Sequence, residues 1–312
     1  MAQDAIVTME VPDLSPLYRY QDIVPHFDAF LESCEQPLPS TVRVNTLRAD
    51  PAAVRESLEE RGIAADPFSW YPAGLRIDAD RPGTLFEHFI GHIHSQEEVS
   101  MVPPIVLAPR PGERVLDLCA APGSKTTHLA QMMENTGHII ANDVAKGRLP
   151  MLRANCERLG VMNTGFSSID GRRFPNASFD RVLLDPACSS EGMARKRPDV
   201  LWRYHRRFRQ ELQRSQSAMI DRACELVRPG GMLVYSTCTY APEDNEVQVA
   251  RALERGFELV DGSAPPGFIC SPGLTEWEEH RFPDQMRRCL RVYPHLNDTG
   301  GFFVASLRKR RA

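Results

Sequence analysis

The stretch that decides the fold is VLDLCAAPGSKTTHLA, at residues 115–130. Its apolar start is typical of a buried β-strand, Pro122 and Gly123 follow in a tight turn, and a segment of helical composition begins at Ser124. A strand, a turn and a helix in this order direct several backbone N–H groups and the positive end of a helix dipole at one point. The stretch therefore predicts a loop that binds an anionic or polar part of a ligand.

Two common nucleotide-binding loops are excluded. The three-glycine dinucleotide fingerprint G-x-G-x-x-G is missing, so a nicotinamide cofactor loses its main support. A Walker phosphate loop fails as well, because Ser124 separates Gly123 from Lys125. In addition, Leu118 occupies the position of the first Walker glycine. An ordinary βα turn would explain the stretch if no acidic residues ended the strands that follow.

Length and composition indicate an ordinary globular protein. The 312 residues correspond to two average domains, or to one large α/β domain with an added module. The N-terminus lacks a basic region followed by an apolar run, and no segment approaches the roughly 20 apolar residues that cross a bilayer. We therefore expect a cytoplasmic protein without a membrane segment, and a monomer.

Cysteine spacing and charge limit the possible partners. The eight cysteines are scattered without a C-x-x-C pair, so neither a zinc ribbon nor a disulfide scaffold is indicated. Whether Cys270 and Cys289 pair stays open. A net charge of −4 provides no global attraction to nucleic acid, so an RNA partner would need a local basic patch.

Residues 1–110 are predicted to form a separate α+β module that could bind RNA. Asp50 and Pro51 are typical of a helix start, and Gly62 of a helix end. The predicted elements are helices at 23–34 and 51–62 and strands at 41–45 and 74–77. Proline-rich residues 102–114 then mark the start of the second domain.

Three histidines in this module suggest a metal site. His88 and His92 are four residues apart, and His94 follows. However, no acidic or cysteine ligand stands at a matching spacing, and Gly91 argues against a helix that would align the first two. We therefore predict no metal.

Strands and helices alternate through residues 111–312, which predicts a parallel sheet with right-handed crossovers. The expected strands are 114–118, 138–142, 164–168, 179–184, 231–236, 256–260 and 301–307, and the expected helices are 125–134, 145–159, 205–227 and 242–254. Residues 262–300 are expected to form a long insertion. Ligands of open α/β sheets bind beyond the carboxyl ends of the strands, so residues at those ends are the candidates for a site.

Five candidates follow strand ends. Asp143 ends the second strand, where an acidic side chain can bond to a ribose, although a helix N-cap would explain it equally well. Asp170 follows the third strand and could accept a hydrogen bond from an adenine amino group, with a plain turn aspartate as the alternative. Asp185 closes the fourth strand with Cys188 just beyond it, and Cys238 ends the fifth.

These residues make chemical sense together if the substrate is a cytosine and the methyl donor is S-adenosylmethionine. A lone cysteine on a strand is more often a buried apolar residue than a catalyst, but here two stand at the ends of neighbouring strands. Carbon 5 of cytosine is a poor nucleophile until a thiolate adds to carbon 6, and a base must later remove the carbon-5 proton. The thiolate needs a setting that lowers its pKa, which Lys125 or a strand-end dipole could supply.

The motifs resemble those of the Sun-type (NOL/NOP/Sun, or Fmu) RNA cytosine-5 methyltransferases, from about Tyr18 to the end of the chain. The stretches that carry the resemblance are RVNTL (43–47), HSQEEVSM (94–101), VLDLCAAPGSKT (115–126), ANDVAKGRL (141–149), LLDPACSSEGM (183–193), YSTCTYAPEDNE (235–246) and GGFFVA (300–305). The resemblance implies a Rossmann-like S-adenosylmethionine-dependent methyltransferase domain with a seven-stranded, mostly parallel sheet beside the smaller N-terminal module. It implies an RNA substrate, with tRNA expected before rRNA.

The resemblance also implies residue roles. Cys238 would be the nucleophile, Cys188 would assist release of the methylated base, and Asp185 would hold the cytosine amino edge beside the cofactor. Asp143 and Asp170 would bind the ribose and adenine of the cofactor. The residues that would contact its methionine part are Cys119, Ala120, Ala121, Pro122, Gly123, Ser124 and Lys125.

One departure from the family concerns the loop after the fourth strand. The family usually reads D-A-P-C, whereas this chain has Asp185-Pro186-Ala187-Cys188. The cysteine keeps its distance from the aspartate, but the displaced proline restricts a different peptide bond. The pattern therefore specifies the release role of Cys188 less directly than the nucleophile role of Cys238.

RNA contact is expected from a basic segment at residues 195–214. It contains eight Lys or Arg residues interleaved with Trp202, Tyr204 and Phe208, which suits phosphate contact and base stacking. The alternative is an amphipathic helix that buries its aromatic side chains. The tail RKRR (308–311) could add a phosphate contact, and base flipping is expected because a paired cytosine cannot reach a strand-end pocket.

Two other functions compete with this one. A small-molecule or protein methyltransferase on the same scaffold would have no use for Cys238 and no affinity for RNA. A non-catalytic RNA-binding or ribosome-assembly factor would keep the fold but would not bind the cofactor.

Overall fold

A computed structural model describes residues 13–203, 206–260 and 264–311. These residues form a four-stranded sheet, a nine-stranded sheet and a two-stranded hairpin. In chain order the elements are α1 (Phe27–Glu35), β1 (Thr41–Val44), α2 (Pro51–Glu60), β2 (Ala65–Phe68), β3 (Tyr71–Ile77), α3 (Phe86–Phe89), β4 (Ile93–Ser95), α4 (Glu98–Leu107), β5 (Arg114–Asp117), α5 (Ser124–Met132), β6 (His138–Asn142), α6 (Leu149–Arg158), β7 (Thr164–Ser167), β8 (Phe179–Leu184), α7 (Val200–Arg203), α8 (Arg206–Leu226), β9 (Val227–Thr237), α9 (Glu246–Glu254), β10 (Phe257–Leu259), β11 (Ser271–Pro272), β12 (Glu276–Trp277), β13 (His280–Arg281), β14 (Leu290–Val292), α10 (Pro294–Asn297) and β15 (Phe302–Lys309).

The smaller sheet has the order β2-β3-β1-β4, and all its neighbours are antiparallel. Helix α2 begins where the sequence predicts, because the Asp50 carboxylate accepts hydrogen bonds from the backbone N–H groups of Ala52 and Ala53 at 2.9 and 3.2 Å. The side chains of Val54 and Leu58 on α2 then pack on the sheet. The module is therefore an α+β unit, as expected.

Four elements in this region differ from the predictions. Helix α1 begins at Phe27 rather than residue 23, because the backbone of His26 has a left-handed φ of +52°, which interrupts a helix. Strand β3 starts at Tyr71, three residues before the predicted strand. Strands β2 and β4 were not predicted, since segments of four and three residues are too short to show a periodic pattern.

Proline-rich residues 102–114 were predicted to mark the start of the second domain, but their first part belongs to helix α4. Pro104 lacks the N–H group that would bond to the Ser100 carbonyl, and the Gln96 side chain donates to that carbonyl instead, at 3.0 Å. Val99 and Val102 on this helix pack into the core of the large sheet. The division of the chain at residue 110 stays a prediction.

The large sheet has the order β11-β14-β15-β9-β8-β5-β6-β7, with β10 paired to β15. The five strands from β7 to β9 are parallel neighbours, and β15 runs antiparallel to β9. All seven predicted strands are present. Strands β11 and β14, from the segment predicted as an insertion, extend the sheet to nine strands. The fold is therefore the predicted Rossmann-like arrangement with a wider antiparallel edge.

Alternate residues of the central strands face opposite layers of helices. Leu116 and Val182 belong to the core formed with α8 and α9, whereas Val115 and Leu183 belong to the core formed with α4 and α5. The carboxyl ends of β5, β6, β8 and β9 consequently meet at one edge of a sheet that is covered on both faces.

The helix predicted at 242–254 begins only at Glu246. The preceding residues stay in a turn because the Asn245 side chain donates to the Thr239 carbonyl at 3.0 Å and accepts from the Thr237 hydroxyl at 2.5 Å. Similarly, the helix predicted at 145–159 starts as a 3₁₀ turn at Lys146–Arg148 before α6. Both differences lie next to the edge where ligands are expected.

Two further findings concern the whole described chain. All eight cysteines are free thiols, Cys270 and Cys289 among them. None of the helices in residues 13–203, 206–260 and 264–311 has the length and apolar character that crossing a membrane requires.

A buried ion pair joins strand β14 to helix α9. The Arg291 guanidinium contacts both carboxylate oxygens of Glu246, at 2.7 and 2.5 Å, and donates to the Tyr240 carbonyl at 3.0 Å. Side chains in this pair are at most 2% exposed. The short strand β14 is therefore fastened to the loop that follows β9.

We expect Arg291→Met to lower the free energy of unfolding by about 3–5 kcal/mol, because it leaves the Glu246 carboxylate buried without its counter-ion. Urea denaturation measures this loss, and adding Glu246→Leu should recover much of it. The matched control is Arg281→Met, which removes an exposed ion pair with Glu276 worth about 0–1 kcal/mol. Equal losses for the two single variants would contradict the assignment.

Candidate active site

The predicted binding loop follows β5 and turns sharply into α5. Gly123 has a φ of +106°, which favours glycine, and a Cβ atom there would lie 2.8 Å from a methyl group of Leu152, which would have to shift. The Ala121–Pro122 peptide bond is cis. The loop is fastened to the neighbouring strand because the Ala120 N–H donates to the Asn142 carbonyl at 2.7 Å.

Asp143 lies at the end of β6, beside this loop. Its carboxylate accepts hydrogen bonds from the backbone N–H groups of Ala121 at 3.1 Å and Ala145 at 2.9 Å. Arg148 forms an ion pair with it at 3.4 Å. The turn alternative is therefore observed, and the predicted contact of Asp143 with a ribose stays a prediction.

Asp170 lies after β7 on the same edge. It accepts from the Arg172 backbone N–H at 3.1 Å and from its guanidinium at 2.6 Å, and these hydrogen bonds lower the pKa of the carboxyl. The alternative of a turn aspartate is thus observed. Its predicted contact with adenine stays a prediction.

Asp185 and Lys125 form the central ion pair of the edge. Lys125 Nζ lies 2.6 Å from Asp185 Oδ2, and the Ser236 hydroxyl donates to Oδ1 at 3.0 Å. Burial lowers the pKa of Lys125, but Asp185, Asp117 and the Cys238 sulfur raise it above its ordinary value overall. The ammonium group therefore stays charged among these groups.

Asp117 is a residue that the sequence analysis did not single out. It is 1% exposed at the end of β5 and accepts a hydrogen bond from the Thr126 hydroxyl at 2.7 Å. Burial raises its pKa to about 7, against the opposing effects of Thr126 and Lys125. A charged residue inside the apolar stretch VLDL was the signal that could have identified it.

The two cysteines meet at the ends of β8 and β9. Their sulfur atoms are 3.4 Å apart, with Cys188 buried and Cys238 half-buried. Hydrogen bonding with Cys238, followed by burial, raises the pKa of Cys188 well above its ordinary value. The Ser190 hydroxyl lies 3.6 Å from the Cys238 sulfur, and Ser190 itself has a left-handed φ of +63°.

The two cysteine-bearing loops are held together by a buried polar network. The Ser189 and Thr239 hydroxyls are 2.7 Å apart, and both contact the Glu191 carboxylate. The Gly192 N–H donates to the Cys238 carbonyl at 3.0 Å. Glu191 is 1% exposed and also accepts from Tyr20 at 3.2 Å. This network fixes the distance between the sulfurs, and the sequence analysis did not find it.

The three histidines do not form a metal site. No group of three or more His, Cys, Asp or Glu side chains that could hold a metal occurs in the described part of the chain. Both ring nitrogens of His94 have other partners, Arg158 and Ser124, each at 2.9 Å.

The predicted RNA-binding segment is divided between structural and exposed residues. The Arg195 side chain is only 2% exposed and donates to Asp298 and to three backbone carbonyls, which makes it a structural brace. Trp202 and Phe208 are 59% and 37% exposed, so the alternative of buried aromatics is wrong for these two. Tyr204 lies outside the described residues.

The basic tail lies at the opposite end of the sheet. Lys309 Nζ donates to the carbonyls of Cys224 and Val227 at 2.7 Å, and Val227 begins β9, whereas Cys238 follows its end. Arg308 pairs with Met232 on β9, and six residues of strand at about 3.3 Å each place Met232 roughly 20 Å from Cys238. Residues 308–311 therefore do not reach the candidate site.

The site thus combines three chemical capabilities on one edge. It has a glycine turn that presents a helix N-terminus, fixed carboxylates at the next strand ends, and a half-exposed thiol near an ammonium group with a second thiol in contact. A thiol in such a setting can act as a nucleophile toward a ring placed beside Asp185.

Asp117 generates a pH prediction. The folded protein holds the Asp117 proton more tightly than the unfolded chain does, so this side chain favours folding below about pH 4 and that contribution is lost as the pH rises to about 7. Asp117→Asn does not titrate. Its free energy of unfolding relative to the wild type should therefore rise by up to about 4 kcal/mol between pH 4 and pH 8. A difference that stays flat in urea titrations across this range would contradict the assignment.

Comparisons with known proteins agree with this arrangement. The family described as 16S rRNA methyltransferase RsmB/F matches residues 104–308, and a ferredoxin-like domain of RsmF/B-like methyltransferases matches residues 19–83. The tRNA (cytosine(49)-C(5))-methyltransferase of Pyrococcus abyssi is 39% identical over 88% of this chain and 90% of its own length. The 28S rRNA (cytosine(4447)-C(5))-methyltransferase of Homo sapiens is 40% identical over 90% of this chain. This chain spans only 35% of the length of that human relative and 36% of its Mus musculus counterpart.

Solved structures give the same result. A methyltransferase homologue from Pyrococcus horikoshii is 31% identical and superposes over 95% of this chain and 99% of its own, with a TM-score of 0.82. NSun6 from the same organism, solved with SFG, is 26% identical over 95% of this chain and 98% of its own, also with a TM-score of 0.82. The resemblance found in the sequence is confirmed, and the chain belongs to the RsmB/F family of Sun-type methyltransferases.

Proposed function

We propose that this protein methylates carbon 5 of a cytosine in RNA, with S-adenosylmethionine as the methyl donor. The observation that carries the proposal is the pair of sulfurs, Cys188 and Cys238, 3.4 Å apart beside the ion pair of Lys125 and Asp185. A methyltransferase for amines or hydroxyls has no need of two thiols. The names of the relatives, which specify cytosine carbon 5, support the same reaction.

The residues of the loop fit the cofactor. The site has the backbone turn at Gly123, where a Cβ atom would meet Leu152, and a fixed carboxylate at Asp143 beside it. NSun6 from Pyrococcus horikoshii was solved with SFG, an S-adenosylmethionine analogue, which supports the assignment. We assign residues 119–125 to the methionine part, Asp143 to the ribose and Asp170 to the adenine. When bound, the cofactor supplies an electrophilic methyl group.

Cys238 acts as the nucleophile. Its thiolate adds to carbon 6, a carbon–sulfur bond forms, and the electron pair of the ring double bond becomes available at carbon 5 for the methyl group. The Lys125 ammonium, close enough for the Cys238 charge to raise its pKa, stabilises the thiolate. Asp185 holds the cytosine amino edge while it is itself held by Lys125 and Ser236.

Cys188 acts in product release. Hydrogen bonding with Cys238 is the largest cause of its raised pKa and burial is the second, so bonding of the Cys238 sulfur to carbon removes the first of these causes. Cys188 then becomes able to take the carbon-5 proton, after which the carbon–sulfur bond breaks and the electron pair returns to Cys238. The displaced Pro186 does not separate the two sulfurs, so the release role is compatible with the departure from the family pattern.

The RNA class is proposed as tRNA, with rRNA as the second candidate. The Pyrococcus abyssi relative, which has nearly the same length, supports tRNA, whereas the human relative and the Escherichia coli O6:H1 small-subunit methyltransferase F support rRNA. The exposed Trp202 is proposed to stack on a base, and residues 1–110 are proposed to add RNA contacts. Cytoplasmic location and a monomeric state stay predictions.

The cysteine assignments are tested by two variants. Cys238→Ala should abolish methyl transfer to RNA and should form no covalent RNA adduct. Cys188→Ala should instead accumulate an adduct that survives denaturing electrophoresis, because release is blocked. Both should bind cofactor like the wild type in calorimetry, which excludes misfolding as the cause. Retained activity in Cys238→Ala would contradict the nucleophile role, and absence of an adduct in Cys188→Ala would contradict the release role.

RNA binding by the exposed residues of the basic segment 195–214 is tested separately. Trp202→Ala should weaken RNA binding by about 1–3 kcal/mol if a base stacks on the indole ring. Arg207→Ala, whose side chain is 87% exposed, should lower the slope of log K against log salt by about one. The control is Met162→Ala, which removes an 81% exposed apolar side chain elsewhere. Equal effects of Trp202→Ala and Met162→Ala would argue against a stacking surface.

A further inference from the structure

Three hydrogen-bonded side chains connect helix α6, strand β4 and the first residue of helix α5, which follows the loop assigned to the cofactor. The Arg158 guanidinium lies 2.9 Å from His94 Nδ1, and His94 Nε2 lies 2.9 Å from the Ser124 hydroxyl. His94 is 5% exposed, and Ser124 is half-buried at the start of α5. The three residues therefore connect the N-terminal module to the loop assigned to the cofactor.

The direction of each hydrogen bond follows from the donors. A guanidinium group has N–H donors and no acceptor, so His94 Nδ1 must accept. Burial, followed by the charges of Arg43 and Arg158, lowers the pKa of His94 well below its ordinary value, so the ring is neutral and carries its one proton on Nε2. Nε2 must then donate to Ser124. The Ser124 oxygen is occupied as an acceptor, and its own hydrogen has no acceptor within the part of the chain that the structure describes.

An uncompensated positive charge lies beneath the same turn. Arg43, which pairs with His94 across strands β1 and β4, is fully buried and donates to Gln96, Gln131 and the Thr127 hydroxyl on α5. Its described hydrogen-bond partners include no carboxylate, and burial lowers its pKa to about 10. Arg158 likewise contacts only neutral acceptors. A fully buried charge is normally paired, so Arg43 favours an anionic group at the helix N-terminus, and the half-buried Arg158 adds to the same positive potential.

We propose that His94 and Arg158 fix Ser124 as a hydrogen-bond donor to the carboxylate of the methionine part of the cofactor. His94 and Arg158 are positioning residues, and Arg43 adds the positive potential that the carboxylate neutralises. The N-terminal module is thereby part of the cofactor site and not only an RNA-binding unit. The inference rests on the proposed function, because that function places the cofactor in this loop.

The experiment measures cofactor affinity by calorimetry without RNA. The probes are S-adenosylhomocysteine, which carries the carboxylate, and 5′-methylthioadenosine, which lacks it. His94→Ala and Ser124→Ala should each weaken S-adenosylhomocysteine binding about tenfold, as expected for loss of a charge-assisted hydrogen bond. Neither should change 5′-methylthioadenosine binding by more than about twofold. The double variant His94→Ala/Ser124→Ala should bind S-adenosylhomocysteine no more weakly than Ser124→Ala alone, because both changes remove the same contact.

Two controls separate positioning from general damage. His92→Ala alters a half-buried histidine two residues away and should leave both affinities unchanged. His94→Gln can accept from Arg158 and donate to Ser124 through its amide, so it should restore most of the affinity. Equal weakening of both probes by His94→Ala, or additive effects in the double variant, would overturn the inference while leaving the proposed function intact. If the wild-type protein bound neither probe, the proposed function would fail with it.

Discussion

The ion pair between Lys125 and Asp185 is the interaction on which the candidate site depends. It joins helix α5 to the end of β8, with Lys125 Nζ 2.6 Å from Asp185 Oδ2, in a place where burial alone would favour the neutral lysine. A charged ammonium can stabilise a thiolate at Cys238. The second carboxylate oxygen of Asp185 accepts a hydrogen bond from the Ser236 hydroxyl. Removal of either partner would leave the other charge half-buried without its counter-ion. In the proposed mechanism, stabilisation of the Cys238 thiolate and placement of the base would both depend on this contact.

The surrounding scaffold is constructed from parts distant in sequence. Glu191 holds the two cysteine-bearing loops together, and Tyr20 supports it from the N-terminal segment. Arg43 and His94, which are paired residues of neighbouring strands, form hydrogen bonds with Thr127 and Ser124 of helix α5. The N-terminal module therefore supports the methyltransferase domain directly at its functional edge. Such support explains how a short loop with a glycine turn keeps a defined shape.

Much of this could be predicted from the sequence, because the dominant signals are local. Alternating strands and helices and the rule that ligands bind at strand ends brought Asp143, Asp185, Cys188 and Cys238 to one edge, as observed. Local sequence patterns do not predict an element whose structure depends on residues distant in sequence. Helix α4 tolerates its prolines because Gln96 satisfies a carbonyl, and strands β11 and β14 exist only because β15 offers an edge. Burial against other elements also explains why Asp117 was not singled out and why His94 was considered only as a metal ligand, since no local pattern shows such burial.

The central claim is that the Cys238 sulfur bonds to the pyrimidine ring. It is tested most directly with substrate RNA whose cytosines carry fluorine at carbon 5, because no proton can then be removed after methyl transfer and the adduct persists. Tandem mass spectrometry of the digested complex identifies the residue that carries the nucleotide. The account predicts a methylated fluorocytosine attached to Cys238. An adduct at Cys188, or no adduct although the unmodified RNA is methylated, would contradict it.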